Sequence, residues 1–105
     1  MKQYRIQITN RALSDMEQIY EYIAEQLQAP GAAMGQYNRI TEAIENLAIF
    51  PERIKLMATK EEQTLRLRQM FVDNYSVFFQ IRGERVIVTN VLYSASDIVS
   101  RLRDE

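Results

Sequence analysis

The spacing of apolar residues changes once along the chain, and this change constrains the fold more than any other feature. Between residues 10 and 50, apolar side chains recur every three or four positions, which is typical of helices that bury one face. Between residues 64 and 93 they alternate with polar side chains, as in strands with one buried face. Residues 2–9 alternate in the same way. The sequence therefore predicts an α+β fold in which most helices precede most strands.

Two apolar stripes define the predicted helices. The stripes are Leu13, Met16, Tyr20, Ile23 and Leu27 in the first helix, and Ala33, Tyr37, Ile40, Ile44 and Leu47 in the second. Thr9-Asn10 is suited to cap the first helix, Pro30-Gly31 separates the two helices, and Phe50-Pro51 ends the second. Two striped helices with a short connection predict an antiparallel helical hairpin.

After a polar connector, three strands are predicted at residues 64–72, 75–81 and 85–93, with turns at Asp73-Asn74 and Gly83-Glu84. The last of these strands is apolar on both faces, so we expect it inside the sheet. A short helix capped by Ser94 or Ser96 follows. The predicted order is β-α-α-β-β-β-α, with the helical hairpin packed on a mainly antiparallel four-stranded sheet. We expect residues 1–105 to form one domain.

The residues that the sequence lacks exclude several chemistries. The chain has no Cys and no His, which excludes a thiolate nucleophile, a Cys-ligated metal and a His-dependent catalytic triad. Its 13 basic and 14 acidic residues give a net charge of -1, which argues against affinity based on neutralising many phosphates. Neither a long apolar run nor an N-terminal signal segment is present, so we expect a cytoplasmic protein without a membrane partner.

Several ordered segments resemble the RelE/ParE superfamily of toxins from bacterial type II toxin–antitoxin systems. The segments are Ala12-x-x-Asp15-Met16-x-x-Ile19-x-x-Tyr22-Ile23, Ile40-x-x-Ala43-Ile44-x-x-Leu47-x-x-Phe50-Pro51, residues 65–68 (LRLR), residues 75–79 (YSVFF) and residues 91–97 (VLYSASD). The resemblance covers nearly the whole chain. It implies a fold of the same class and a cognate antitoxin as a partner.

Two branches of this superfamily differ after the middle and last strands. RelE-like members cleave mRNA on the ribosome and commonly carry an Arg, a basic or His-Arg pair and a late Tyr. This chain has Ser76, Tyr93-Ser94 and Ile98 or Val99 at those positions. ParE-like members carry a Val-Leu-His-Gly-Ala-Arg-Asp-like segment that aligns without a gap with residues 91–97.

The resemblance therefore favours the ParE-like branch. It implies a plasmid stabilisation toxin that binds a cellular target protein such as DNA gyrase, needs no cofactor and is neutralised by its antitoxin. The first alternative is a RelE-like, ribosome-dependent mRNA interferase that would use Arg66, Arg68 and Tyr93. The second is a toxin-derived binding module without activity.

Six residues are candidates for binding the target or the antitoxin. They are Arg66, Arg68, Phe78, Arg82, Tyr93 and Arg101. Arg66 and Arg68 are two positions apart in a predicted strand, so both side chains should leave one face and form a cationic floor for an acidic antitoxin segment. A basic rim of Arg82, Arg85, Arg101 and Arg103 would extend this floor, although Asp97, Asp104 and Glu105 dilute its charge and favour simple solvation of these side chains. The alternative interpretation is an ordinary solvated sheet face.

The remaining two candidates are aromatic. Phe78 belongs to a set of apolar residues expected to need a cover, together with Ile49, Ile54, Met57 and Val72. Tyr93 occupies the position at which relatives often carry His. Its alternative interpretation is a ring at the end of a strand, packed against the hairpin.

Overall fold

Four helices and four strands make up the computed structural model, which describes residues 2–103. They are β1 (Arg5–Ile8), α1 (Asn10–Glu21), α2 (Pro30–Glu45), α3 (Lys60–Thr64), β2 (Arg68–Val72), β3 (Tyr75–Arg82), β4 (Arg85–Tyr93) and α4 (Ile98–Arg103). A π-helical turn at Tyr22–Gln26 extends α1. None of these helices has the length and apolar character needed to span a membrane.

The four strands form one sheet in the order β1-β4-β3-β2. The edge strand β1 runs parallel to β4, and the other two pairings are antiparallel, as expected for a mainly antiparallel sheet. Both predicted two-residue turns are present, with Asp73 and Gly83 at φ of 54° and 60°. β4 lies inside the sheet, which confirms the prediction from its two apolar faces.

The sheet is covered on both faces. One face packs against the α1–α2 hairpin, and its core includes Met16, Ile40, Ile44, Leu47, Val77, Phe79, Val86, Val88 and Val91. On the opposite face, Phe78 and Leu92 pack with Met57 and Leu67 under the apolar side of α4. The sheet is thus the middle layer between a large core and a small one.

A β-bulge in β4 sets which residues enter each core. Phe79 pairs with Val88 but Phe78 pairs with Asn90, so Thr89 is an extra residue on β4. The extra residue shifts by one position the alternation of β4 side chains between the two faces of the sheet. Val91 therefore enters the large core, and Leu92 enters the small one.

The predicted stripe of α2 is confirmed, but the stripe of α1 is shifted. Leu13 is 39% exposed and Leu27 is 57% exposed, whereas Ala12 is fully buried and Asp15 nearly so. The small side chain of Ala12 lets the helix approach the sheet, and this rotates the buried side away from Leu13. A pattern of large apolar residues does not reveal a contact made by an alanine.

The strand predicted from residue 64 starts only at Arg68. Residues 60–64 form α3, and Arg66 lies in the turn after it with a left-handed φ of 58°. A second correction concerns α4, where neither predicted serine is the cap. The side chain of Asp97 instead accepts a hydrogen bond from the backbone N–H of Ser100 at 3.4 Å.

A buried carboxylate connects α3 to α4. Glu62 is 2% exposed, and its two oxygens accept hydrogen bonds from Nε and Nη2 of Arg103, each at 3.0 Å. The hydroxyl of Thr59 donates a further bond at 2.6 Å. These bonds, the pair from Arg103 foremost, lower the pKa of Glu62 to about 2. The pair therefore fastens the end of α4 over the small core.

We expect Glu62→Gln to lower the free energy of unfolding by about 1.5–3 kcal/mol, because it removes charged hydrogen bonds at a buried site. Urea unfolding followed by circular dichroism measures this change. Glu61→Gln is the matched control, because Glu61 contacts the same arginine at 3.0 Å but is exposed. Its cost should stay within about 0.5 kcal/mol. Equal costs for both variants would contradict the role given to Glu62.

The same pair predicts a dependence on pH. Because the pKa of Glu62 is lower in the folded state than in the unfolded chain, its contribution is complete above about pH 4.5. The contribution is lost as the pH falls toward 2. Glu62→Gln should therefore unfold with a weaker acid dependence than the wild type between these values, as measured by unfolding at a series of pH values. An unchanged dependence would assign the acid sensitivity to other groups.

Candidate functional site

A groove of about 540 Å³ opens between α1 and the ends of β3 and β4. Its lining residues are Asp15, Gln18, Ile19, Tyr22, Leu27, Asn74, Tyr75, Val91, Leu92, Tyr93 and Arg101. Tyr22, Leu27 and Tyr93 are 54%, 57% and 50% exposed, respectively. Large, half-exposed apolar side chains that converge on one concave surface are typical of a binding site. We call this surface the tyrosine groove.

Two of its rings are held by the sheet. Tyr75 and Tyr93 are cross-strand partners at the end of the β3–β4 ladder, with ring centroids 5.8 Å apart and an interplanar angle of 62°. Burial raises the pKa of Tyr75, and the nearby phenols of Tyr93 and Tyr22 act in the same direction. Tyr75 is therefore a neutral phenol near pH 7, suited to hydrogen bonding and packing rather than to taking up a proton.

Asp15 lies at the floor of the groove for a structural reason. β1 pairs with β4 only as far as Val88, and beyond that point α1 lies beside β4. There the Oδ2 atom of Asp15 accepts a hydrogen bond from the backbone N–H of Val91 at 3.0 Å. Burial raises the pKa of this carboxyl, while the Val91 bond, Arg11 and Arg101 oppose the shift. Asp15 thus satisfies a backbone donor that no strand reaches.

The six predicted residues do not form one site. Tyr93 and Arg101 both line the tyrosine groove. Arg66 and Arg82 instead line a separate shallow depression of about 490 Å³, next to Gln80. The residues predicted as one basic rim are therefore divided between two surfaces.

The predicted cationic floor of Arg66 and Arg68 is absent. Arg66 lies in a turn, while the Nη1 atom of Arg68 donates hydrogen bonds to the backbone carbonyls of Glu52 and Ile54. Residues two positions apart share a face only when both lie within a strand, and this strand starts at Arg68 itself. The two guanidinium groups consequently have different surroundings.

Phe78 is also placed differently from the prediction. It is 0% exposed and packs in the small core under α4, as does Met57. Ile54 and Val72 are partly buried against the large core, so only Ile49 of the predicted apolar set is exposed. The prediction overlooked the cover that α4 provides.

The three candidates for catalysis do not converge. Tyr93 pairs with Tyr75, whereas Arg68 pairs with Phe79, four positions further along β3. At about 3.3 Å per residue this separates them by roughly 13 Å along the strand. In residues 2–103, no group of three or more carboxylates is arranged to hold a metal ion.

Sequence reasoning missed Asp15, Tyr22, Leu27 and Tyr75 as groove residues. A signal was present for Asp15, because a carboxylate between Ala12 and Met16 interrupts an apolar helix face. Leu27 was assigned to the core stripe, although the π-helical turn rotates the end of the helix before that residue.

Comparison with known proteins adds to this geometry. The family model described as "ParE toxin of type II toxin-antitoxin system, parDE" matches residues 6–98. The chain belongs to the ParE toxin family. No curated protein sequence matches this chain.

Solved structures of toxin–antitoxin systems share this fold of the ParE family. A chain of the chromosomal ParDE system from P. aeruginosa superposes with a TM-score of 0.71 at 17% identity, covering 87% of this chain and 96% of its own length. A chain of the RelBE2 complex from Mycobacterium tuberculosis gives a TM-score of 0.60 at 17% identity, covering 91% and 97%. At this identity the likeness establishes the α+β fold.

Asp15 provides a test of how the floor of the groove is built. Asp15→Ala should cost about 1–3 kcal/mol of unfolding free energy, because a buried N–H loses its acceptor. Asp15→Asn keeps an acceptor oxygen and removes a buried charge, so it should cost less.

The difference in stability between Asp15→Asn and the wild type should become smaller as the pH rises from 4 to 7. Because burial raises the pKa of Asp15, the wild type loses stability as the pH rises through that pKa, and the Asn variant does not. Urea unfolding at pH 4 and pH 7 measures both effects. An Asn variant as unstable as the Ala variant at pH 7 would contradict this account.

Proposed function

We propose that this ParE family chain inhibits growth by binding a cellular target protein, with DNA gyrase the first to test. We further propose that it acts in the cytoplasm and that a cognate antitoxin neutralises it by covering the tyrosine groove. The observation that carries the proposal is the convergence of half-exposed Tyr22, Leu27 and Tyr93 on one concave surface. No cofactor enters the proposal.

The chemistry of the groove suits a protein partner. Tyrosine and arginine are enriched at the centres of protein interfaces, where rings supply contact area at a low cost in conformational entropy. Arg101 lies beside the rings, and its guanidinium group makes no side-chain hydrogen bond or short ion pair within residues 2–103, although its charge acts on the pKa of Asp15. A partner segment with apolar side chains and a carboxylate would match this surface.

The geometry favours binding over mRNA cleavage. Cleavage by activation of a ribose hydroxyl needs cationic groups and a proton acceptor within reach of one phosphate. Arg66, Arg68 and Tyr93 are distributed over three surroundings. They would need a large rearrangement to act on one phosphate.

Induced expression without the antitoxin tests the function. A supercoiling assay with purified gyrase should show inhibition or accumulation of cleavage complexes. Primer extension on ribosome-associated mRNA should show no new 5′ ends. New 5′ ends would instead establish the mRNA interferase, and normal growth would establish an inert binding module.

Titration calorimetry with the antitoxin tests the groove. The double variant Tyr22→Ala/Tyr93→Ala should weaken binding by about 100-fold, because two rings at an interface centre commonly contribute 1–2 kcal/mol each. Phe50→Ala is the matched control, since Phe50 is a similarly exposed ring outside the groove. Loss of affinity in the control alone would place the antitoxin elsewhere.

A further inference from the structure

Three arginines form a row across one end of the sheet. In the strand register Arg5 pairs with Arg85, and Arg85 pairs with Arg82. Neighbouring strands lie about 4.8 Å apart, so the row extends roughly 10 Å across β1, β4 and β3. All three side chains are exposed.

The three side chains leave the face opposite the helical hairpin. Val86 and Ile81, their neighbours along β4 and β3, pack in the large core, so Arg85 and Arg82 project the other way. The Nη1 atom of Arg85 donates a hydrogen bond to Oε1 of Gln7 on β1 at 3.1 Å, which places Gln7 on this face too. The face is covered by α4 only around Phe78 and Leu92, so the arginine end is open.

Arg66 extends the row. It shares the shallow depression with Arg82, next to Gln80 and Gly83. The Nε2 atom of Gln80 donates a hydrogen bond to the carbonyl of Leu65 at 3.0 Å, which holds the turn of Arg66 against β3. We refer to Arg5, Arg66, Arg82 and Arg85 as the arginine row.

The positive charge of the arginine row is not neutralised within the described chain. Residues 2–103 contain ion pairs of Arg11, Arg39 and Arg103, but none of the row. The only acidic residue in the strands and turns that carry the row is Glu84. A chain with a net charge of -1 therefore concentrates four cations on one surface.

We propose that the arginine row binds the phosphate backbone of duplex DNA. Arginine forms bidentate hydrogen bonds with phosphate, and the amides of Gln7 and Gln80 are further groups able to contact phosphate or sugar. The choice of DNA over another polyphosphate rests on the proposed function, since a gyrase inhibitor acts beside duplex DNA. The recognition of phosphate itself rests on the row alone.

The composition of the face disfavours other partners. Ile87 is the apolar residue that β4 contributes here, and it is half-buried. Leu65, which lines the shallow depression, is the one strongly exposed apolar side chain beside the row at 58%. A single leucine at the edge of four arginines is much less than the apolar centre of a protein interface. The row includes no aromatic ring on which single-stranded bases could stack. The face instead presents positive charges on neighbouring strands, separated by the distance between those strands. Such a line of charges suits a regular array of backbone phosphates.

Salt dependence of binding is the direct test. Anisotropy of a labelled 20-base-pair DNA duplex is measured with the purified chain between 50 and 200 mM KCl. Four phosphate contacts predict a slope of about -3.6 for log K against log salt, which is roughly a 150-fold loss of affinity over this range. Arg82→Gln/Arg85→Gln should reduce the slope by about 2, leaving roughly a tenfold loss.

Arg39→Gln is the matched control for Arg82→Gln. It removes one positive charge at the other end of the strands, where Arg39 pairs with Asp73 of the β2–β3 turn at 2.8 Å. Arg82→Gln should reduce the slope by about 1, and Arg39→Gln should leave it unchanged. Arg82→Lys, which keeps the charge, should keep the slope.

Four results would overturn the proposal. They are absence of binding at 50 mM KCl, equal losses in Arg39→Gln and Arg82→Gln, tighter binding of an RNA duplex of equal length, and tighter binding of a polyglutamate peptide at equal charge concentration. The last two would assign the row to RNA or to an acidic protein segment. The assay contains neither antitoxin nor gyrase, so its failure is separate from a failure of the proposed function.

Discussion

The structure depends on one strand that is apolar on both faces. β4 contributes Val86, Val88 and Val91 to the large core and Leu92 to the small one. A strand of this kind requires partners on both edges and a cover on both faces, because any open side would expose apolar area to water. The helical hairpin, β1, β3 and α4 meet these requirements in turn. The bulge at Thr89 shifts the alternation of side chains between the two faces by one position, so that Val91 faces the large core and Leu92 faces the small one.

The cover on the second face is short, and this decides where binding surfaces are left. α4 has six residues and reaches only the part of the face around Phe78, where the Glu62–Arg103 pair fastens it. At the end of the sheet beyond the reach of α4, the arginine row remains open. At the other end, α1 and the last residues of β3 and β4 leave the tyrosine groove. The two candidate surfaces therefore lie at opposite ends of one sheet, and one is cationic while the other is aromatic.

Predictions from the sequence succeeded where a local pattern decides the structure. The α2 stripe, the two-residue turns and the position of β4 follow from the residues in each segment, and all are confirmed. The strand prediction failed at residues 64–67, where alternating leucine and arginine resembles the pattern of a strand, and the connector before them contains the unpredicted helix α3. There a distant contact outweighs the local pattern, because Glu62 is buried against Arg103. The candidate site was only partly predictable for the same reason: Tyr93 and Arg101 were among the predicted residues and line the groove, whereas Tyr22, Tyr75 and Asp15 were not predicted as groove residues.

The sequence by itself determined the kind and order of most elements, the family and the absence of histidine and cysteine chemistry. These properties are encoded by neighbouring residues or by composition, so they do not depend on how the chain closes on itself. Only the tertiary structure decided which charges and rings meet. Arg5 and Arg85 come from opposite ends of the chain and become neighbours through the parallel β1–β4 pairing. The net charge of -1 argued against binding through many phosphates, but folding separates charges that a sum over the sequence combines.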